Sequence, residues 1–122
     1  MLGRRVAVTG IGVVAPAGIG KDAFWSGLLS PAPNGFRQIE DWDPSPYFDN
    51  PKEARRSDRV SQFTLAAAAE ALEQAGEISA DPARRCTFVG TGVGGIGTLE
   101  EQIEVRLSKC ERRVSQFLVP MM

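Results

Sequence analysis

Two glycine-rich segments constrain this chain more than any other feature. They are Val6-Ala-Val-Thr-Gly-Ile-Gly-Val-Val-Ala-Pro-Ala-Gly and Phe88-Val-Gly-Thr-Gly-Val-Gly-Gly-Ile-Gly. Each opens as a short apolar strand and then breaks into glycines, which allow a sharp turn or a close approach to another surface. Both contain the spacing of a dinucleotide loop, Gly10-x-Gly12-x-x-Ala15 and Gly90-x-Gly92-x-x-Gly95. A phosphate loop needs a helix opening directly from the glycine turn, so that its first amides face the pyrophosphate. After Gly12 the sequence Val13 to Gly18 has no helical period, and Pro16 pushes Ala15 out of the α region. After Gly92 the capping box Thr98-x-x-Glu101 does start a helix. The following apolar stretch, Val114 to Pro120, lacks the acidic residue that a dinucleotide ribose requires. Packing glycines are the better reading, and no cofactor is expected.

At 122 residues the chain is long enough for one modest core. A hydrophobic content of 43% and a net charge of −1 exclude bulk attraction to nucleic acid and a disordered composition. No apolar run reaches membrane-spanning length and no signal-peptide layout opens the chain, so neither a membrane nor a nucleic-acid partner is expected and the location expected is cytoplasmic. The chain contains no histidine, which excludes histidine-assisted thiol chemistry and histidine-ligated metal within it. Cys86 reads as a small buried hydrophobe at a strand start, and Cys110 as a surface thiol among Lys109, Glu111, Arg112 and Arg113.

Hydrophobic spacing predicts a first strand over Arg5–Thr9, with Val13-Val14 as a continuation beyond the glycines. A helix over Lys21–Leu29 follows, with Phe24, Trp25, Leu28 and Leu29 on one face, ended by turn residues 30–35. Three prolines between Asp41 and Pro51 forbid a ladder there, so this stretch should drape over a surface, anchored by Trp42, Tyr47 and Phe48. The longest helix should run from Asp58 to Ala75, capped by Ser57 or Asp58 and stopped by Gly76. Its packed face should hold Val60, Phe63, Ala67 and Leu72, with alanines 66–69 letting a neighbour approach closely. After the Asp81-Pro82 turn, a buried strand is expected over Cys86–Gly90, then a helix over Thr98–Lys109 with Leu99, Ile103 and Leu107 inward. This alternation predicts an α/β layered fold. The apolar end, Phe117 to Met122, has no polar tail, which suggests a truncated chain.

Four segments, in order, resemble the β-ketoacyl-acyl carrier protein synthases of the type II elongating class. They are Arg4-Arg-Val-Ala-Val-Thr-Gly-Ile-Gly-Val-Val-Ala-Pro-Ala-Gly, Lys52-Glu-Ala-Arg-Arg-Ser-Asp-Arg, Gly90-Thr-Gly-Val-Gly-Gly, and Arg112-Arg-Val-Ser-Gln-Phe-Leu-Val-Pro-Met. The resemblance implies a partial thiolase-like fold, the N-terminal portion of a layered α/β/α/β/α architecture, with residues 1–122 an incomplete part of that domain. The family reaction is a decarboxylating Claisen condensation, in which an active-site cysteine takes an acyl chain and a malonyl carrier thioester loses CO2 and attacks it. In that family the cysteine lies downstream of the Phe-x-Val-Pro stretch and two histidines lie later still. Neither Cys86 nor Cys110 matches the nucleophile, so this chain alone is expected to be inactive.

Other roles implied by the resemblance fall on residues present here. Lys52, Arg55 and Arg56 match basic positions that contact the acidic acyl carrier protein, and Arg112 and Arg113 match a second such cluster. Without the resemblance these charges would read as a solvated helix entry and loop. Val93 matches an aliphatic position bordering the acyl pocket, and Leu118 one contributed across a homodimer interface. The chain departs from the family in three places. Gly35–Asp43 is shorter than the family's extended segments, Cys110-Glu111 replaces Gly-Pro, and Gln116 replaces proline. A gene fragment, an internally deleted copy and an erroneous gene model would each give this pattern. A chain-length-determining partner subunit of a polyketide synthase is the competing expectation.

Overall fold

The computed structural model describes residues 3, 5–32, 34–35 and 37–121. Arg4 of the first family-like segment, Pro33 of the turn after the first helix, and the terminal Met122 lie outside the described residues. The chain divides into two compact units, one formed by Met1–Asp41 with Ala66–Cys86 and the other by Trp42–Leu65 with Thr87–Met122.

In the first unit a tight hairpin follows the first glycine run. Strand β1 (Val14–Ala15) pairs antiparallel with β2 (Gly18–Ile19), with Val14 opposite Ile19 and Ala15 opposite Gly18. Pro16 and Ala17 make the turn, and the Gly20 N–H closes the hairpin on the Val13 carbonyl at 2.8 Å. A hairpin rather than a helix therefore follows Gly12, as Pro16 dictates. Helix α1 (Lys21–Leu28) starts immediately afterwards. Its apolar residues are not packed as the periodicity predicts, since Trp25, Leu28 and Leu29 are exposed and Phe24 is half-buried.

The glycines of the first run pack against the long helix α3 (Arg59–Ala75). A Cβ on Gly12 would lie 1.8 Å from the Ala67 carbonyl oxygen, and one on Gly10 would lie 1.9 Å from that of Ala71. Only a backbone without side chains can lie this close to a helix face of alanines. Two side chains of α3 fasten the segment in place. The Gln74 amide oxygen accepts the Ile11 N–H at 2.7 Å, and the Glu70 carboxylate accepts the Val13 and Lys21 N–H groups at 2.8 and 2.7 Å. Those bonds, first from Lys21 and then from Val13, hold Glu70 below its ordinary pKa of 4.5. Gly76, at φ +68°, ends α3 in the left-handed conformation expected of a helix stop.

Two strand expectations fail. Residues 5–9 lie outside any ladder, with Val6 90% exposed and Val8 78% exposed. Residues 86–90 are likewise unpaired, Phe88 is 91% exposed, and Cys86 is exposed rather than a buried hydrophobe. A strand exists only when another strand takes its backbone groups, and among the described residues no segment does so for either run. The described residues are thus mainly helical with one short hairpin, and they do not display the layered sheet expected of them.

In the second unit a 3-10 turn at Ser45–Tyr47 leads into helix α2 (Pro51–Arg56), which the proline-rich sequence had concealed. Proline at the first helical position and the Asn50 side chain accepting the Lys52 N–H at 3.0 Å start it. Trp42 and Tyr47 do anchor this stretch, their rings stacked 5.7 Å apart, with Phe63 edge-on to Trp42 at 4.9 Å. Asp58 caps α3 by accepting the Val60 N–H at 3.0 Å. Helix α4 (Ile96–Ser108) begins two residues before the expected Thr98, with Gly95 as its cap. Thr98 is therefore helical, and its hydroxyl donates to the Asp58 carboxylate instead of forming a capping box. On α4, Leu99, Gln102 and Val105 are half-buried, whereas Ile103 and Leu107 are exposed. A 3-10 turn at Glu111–Arg113 and the single-turn helix α5 (Leu118–Met121) complete the unit.

Candidate functional site

All five cations singled out in the sequence fall in the second unit. Lys52 lies in the first turn of α2, and Arg55 and Arg56 lie in its last turn, each exposed. Arg112 and Arg113 project from the 3-10 turn after α4 and are also exposed. The fold joins the two clusters at two points. The Arg56 guanidinium carbon sits 4.4 Å from the centre of the Phe117 ring, a cation–π contact. Beside it the Asp58 N–H donates to the Met121 carbonyl at 2.9 Å.

The arm that carries Arg112 and Arg113 is also fixed to α4. An Arg106–Glu111 ion pair at 2.7 Å ties the 3-10 turn to the last turn of that helix. The Gln102 side chain accepts the Ser115 N–H at 2.7 Å. Glu111 is thus occupied by Arg106 and leaves the neighbouring arginines their charge. Among the described residues Lys52, Arg55, Arg112 and Arg113 form no ion pair. Each remains available for an anionic partner, and a cluster of this kind attracts such a partner even on a chain of net charge −1.

Beneath the cations lies a polar pair of which the sequence singled out only Asp58, as a helix cap, and not Gln62. The Gln62 side chain is 9% exposed and uses both ends of its amide. Its oxygen accepts the Trp42 indole N–H at 2.7 Å, and its nitrogen donates to the Ala54 and Ser57 carbonyls at 2.9 and 3.0 Å. Asp58 lies one turn earlier and accepts both the Val60 N–H and the Thr98 hydroxyl. A polar residue between Val60 and Phe63, two residues expected on the packed face of α3, was the available signal.

Of the two residues matched to an acyl pocket, Val93 is exposed in the loop before α4, and Leu118 is half-buried on α5. One apolar groove of this unit, about 320 Å³, is lined by Val60, Ser61, Thr64, Leu65, Val89 and Thr91, and by neither of those residues. No group of three or more histidine, cysteine, aspartate or glutamate side chains able to hold a metal occurs among the described residues. Both cysteines are exposed. No helix among the described residues is long and apolar enough to cross a membrane.

The chain matches the family model of the beta-ketoacyl synthase N-terminal domain over residues 3–51 and 32–122. It is 32% identical to 3-oxoacyl-[acyl-carrier-protein] synthase 2 of Synechocystis sp. over 139 aligned positions, covering 98% of this chain and 32% of that protein. It is 35% identical to the synthase 2 of Staphylococcus aureus strain COL over 136 positions, covering 98% and 33%. It is 36% identical over 146 positions, covering 98% and 31%, to beta-ketoacyl synthase 1 of the actinorhodin polyketide system of Streptomyces coelicolor. The chain spans about a third of the length of these relatives. An alignment of 139 positions to 122 residues means that at least 17 residues of the Synechocystis protein have no counterpart here. The family match breaks into two segments that overlap at 32–51, the region containing the shortened stretch Gly35–Asp43. On the family match and these relatives together, the chain belongs to the beta-ketoacyl synthase family, a family of transferases, through its N-terminal domain.

Proposed function

We propose that this polypeptide is the opening, incomplete part of the N-terminal domain of a β-ketoacyl-acyl carrier protein synthase. The reaction is the decarboxylating condensation of acyl and malonyl thioesters in fatty-acid elongation. The chain's own contribution is a docking surface for the acidic acyl carrier protein, made of Lys52, Arg55, Arg56, Arg112 and Arg113. Val93 contributes to the acyl-pocket wall, and Leu118 does so across the interface of a homodimer. The observation that carries this reading is the joining of two cationic segments in one unit through Arg56 and Phe117. The chemistry itself is not assigned to these residues. The chain has no histidine, and neither exposed thiol is drawn into a hydrogen bond among the described residues.

Titration of the chain with purified acyl carrier protein tests the reading. Binding should weaken steeply with salt and should be reduced by Arg55→Ala and by Arg112→Ala, each up to about fivefold, since an exposed charge pair contributes about 0.2–1 kcal/mol. Salt-independent binding, or binding indifferent to all five cations, would refute it. Incubation with acyl and malonyl carrier thioesters should give no 3-oxoacyl product. A second reading, a non-catalytic chain-length-determining partner of a polyketide synthase, draws on the similarity to a protein of the actinorhodin polyketide system. It predicts co-purification with a complete synthase subunit and a change in product chain length.

A further inference from the structure

Helix α2 has six residues, well short of the ~12–15 that an isolated helix needs to persist in water. Its cations therefore hold their positions only if something outside the helix holds its end. Ala54 supplies the apolar contact at 4% exposure, and the directional contact comes from Gln62. Both N–H groups of that amide go to carbonyls of the turn bearing Arg55 and Arg56, while its oxygen is kept in place by the Trp42 indole. The Gln62 N–H also donates to the Asp58 carbonyl at 3.0 Å, and Asp58 in turn grips Met121 and Thr98. One turn of α3 thus holds the ends of both cationic segments.

We infer that Gln62 is a positioning residue for carrier docking: its amide sets where the guanidinium groups of Arg55 and Arg56 stand relative to the Arg112–Arg113 arm. This rests on the docking reading given above. Packing alone would be served by an apolar side chain of the same volume. Three hydrogen bonds from one buried amide add direction, which matters where several charges must meet one rigid anionic face.

The test uses the full 122-residue chain, purified holo acyl carrier protein and a double-mutant cycle. Gln62→Leu removes the three bonds, and the isosteric Gln62→Glu replaces the donor that faces Ala54 and Ser57 with an acceptor. Each should weaken carrier binding about three- to tenfold, the combined effect of misplacing two exposed charges. In a Lys52→Ala/Arg55→Ala/Arg56→Ala background the Gln62 changes should cause no further loss. In an Arg112→Ala/Arg113→Ala background they should still weaken binding, because Arg55 and Arg56 remain to be misplaced. Equal losses in both backgrounds would mean general loosening and would overturn the inference, as would full binding by the Gln62 variants.

If removing the three α2 cations does not weaken binding, the docking reading falls and this inference falls with it. If removing them weakens binding and changing Gln62 does not, only the inference falls. Should both Gln62 variants fail to fold, hydrogen exchange on the unaltered chain decides the matter. Saturating carrier protein should slow exchange of the Ser57 amide, and unchanged exchange there would overturn the inference.

Discussion

Replacing Gly12 with alanine is the sharpest test of how the first glycine run works. The added Cβ would stand 1.8 Å from the Ala67 carbonyl oxygen and 2.7 Å from its carbon. Carbon–oxygen contacts in proteins stay beyond about 3.3 Å, so the loop must retreat from α3 by about 1.5 Å. Such a retreat stretches the Ile11–Gln74 and Val13–Glu70 bonds, now 2.7 and 2.8 Å, beyond hydrogen-bonding length. Overpacking of this kind costs about 1–3 kcal/mol. Native-state hydrogen exchange reads the loss locally, and at tenfold per 1.4 kcal/mol the Ile11 and Val13 amides should exchange about 5- to 150-fold faster. Gly90→Ala and Gly92→Ala are the controls, since nothing lies within 4 Å of a Cβ at either position. Equal acceleration from Gly12→Ala and Gly90→Ala, or none from Gly12→Ala, would refute the packing argument.

Three further outcomes are expected. Glu70 has a depressed pKa, so its contribution is present above the unfolded value of 4.5 and is lost as pH falls through the lower folded value. Protection of the Val13 and Lys21 amides, taken against their intrinsic exchange rates, should fall on acidification below pH 4.5, and Glu70→Gln should remove that pH dependence. Asp58→Ala removes the cap of α3 and the acceptor for Thr98, and should lower stability by about 0.5–2 kcal/mol in urea unfolding; an unchanged midpoint would contradict the assigned cap. Finally, with Val6, Phe88 and Leu107 at 90%, 91% and 82% exposure, the chain alone should self-associate. A monodisperse monomer by light scattering would show otherwise.

What the sequence revealed was local, and what it concealed depended on distant partners. Helices α1, α3 and α4 lie within two residues of their expected bounds, because Gly76, Asp58 and the apolar spacing act through neighbouring residues. Helix α2 carried readable signs in Asn50-Pro51 and the closing Arg55-Arg56, but the nearby prolines outweighed them. The strands at 5–9 and 86–90 were misplaced because apolar, β-branched composition describes a segment fit for pairing and not the presence of a partner. Inward faces were overestimated for the same reason, as Leu72 and Ile103 show by their exposure. The cations of the candidate site could be located from the family-like segments, whereas Gln62, which supports them, could not. Its role depends on carbonyls at Ala54 and Ser57 whose position only the fold supplies.

The two tryptophans give each unit its own optical reporter. Trp25, in the first unit, is 64% exposed, so its emission should be red-shifted like that of indole in water. Trp42, in the second, is stacked on Tyr47 and hydrogen-bonded to Gln62, so its emission should be shifted to the blue. Replacing either with phenylalanine isolates the other, and the loosening of each half of the chain can then be followed by fluorescence without an attached dye.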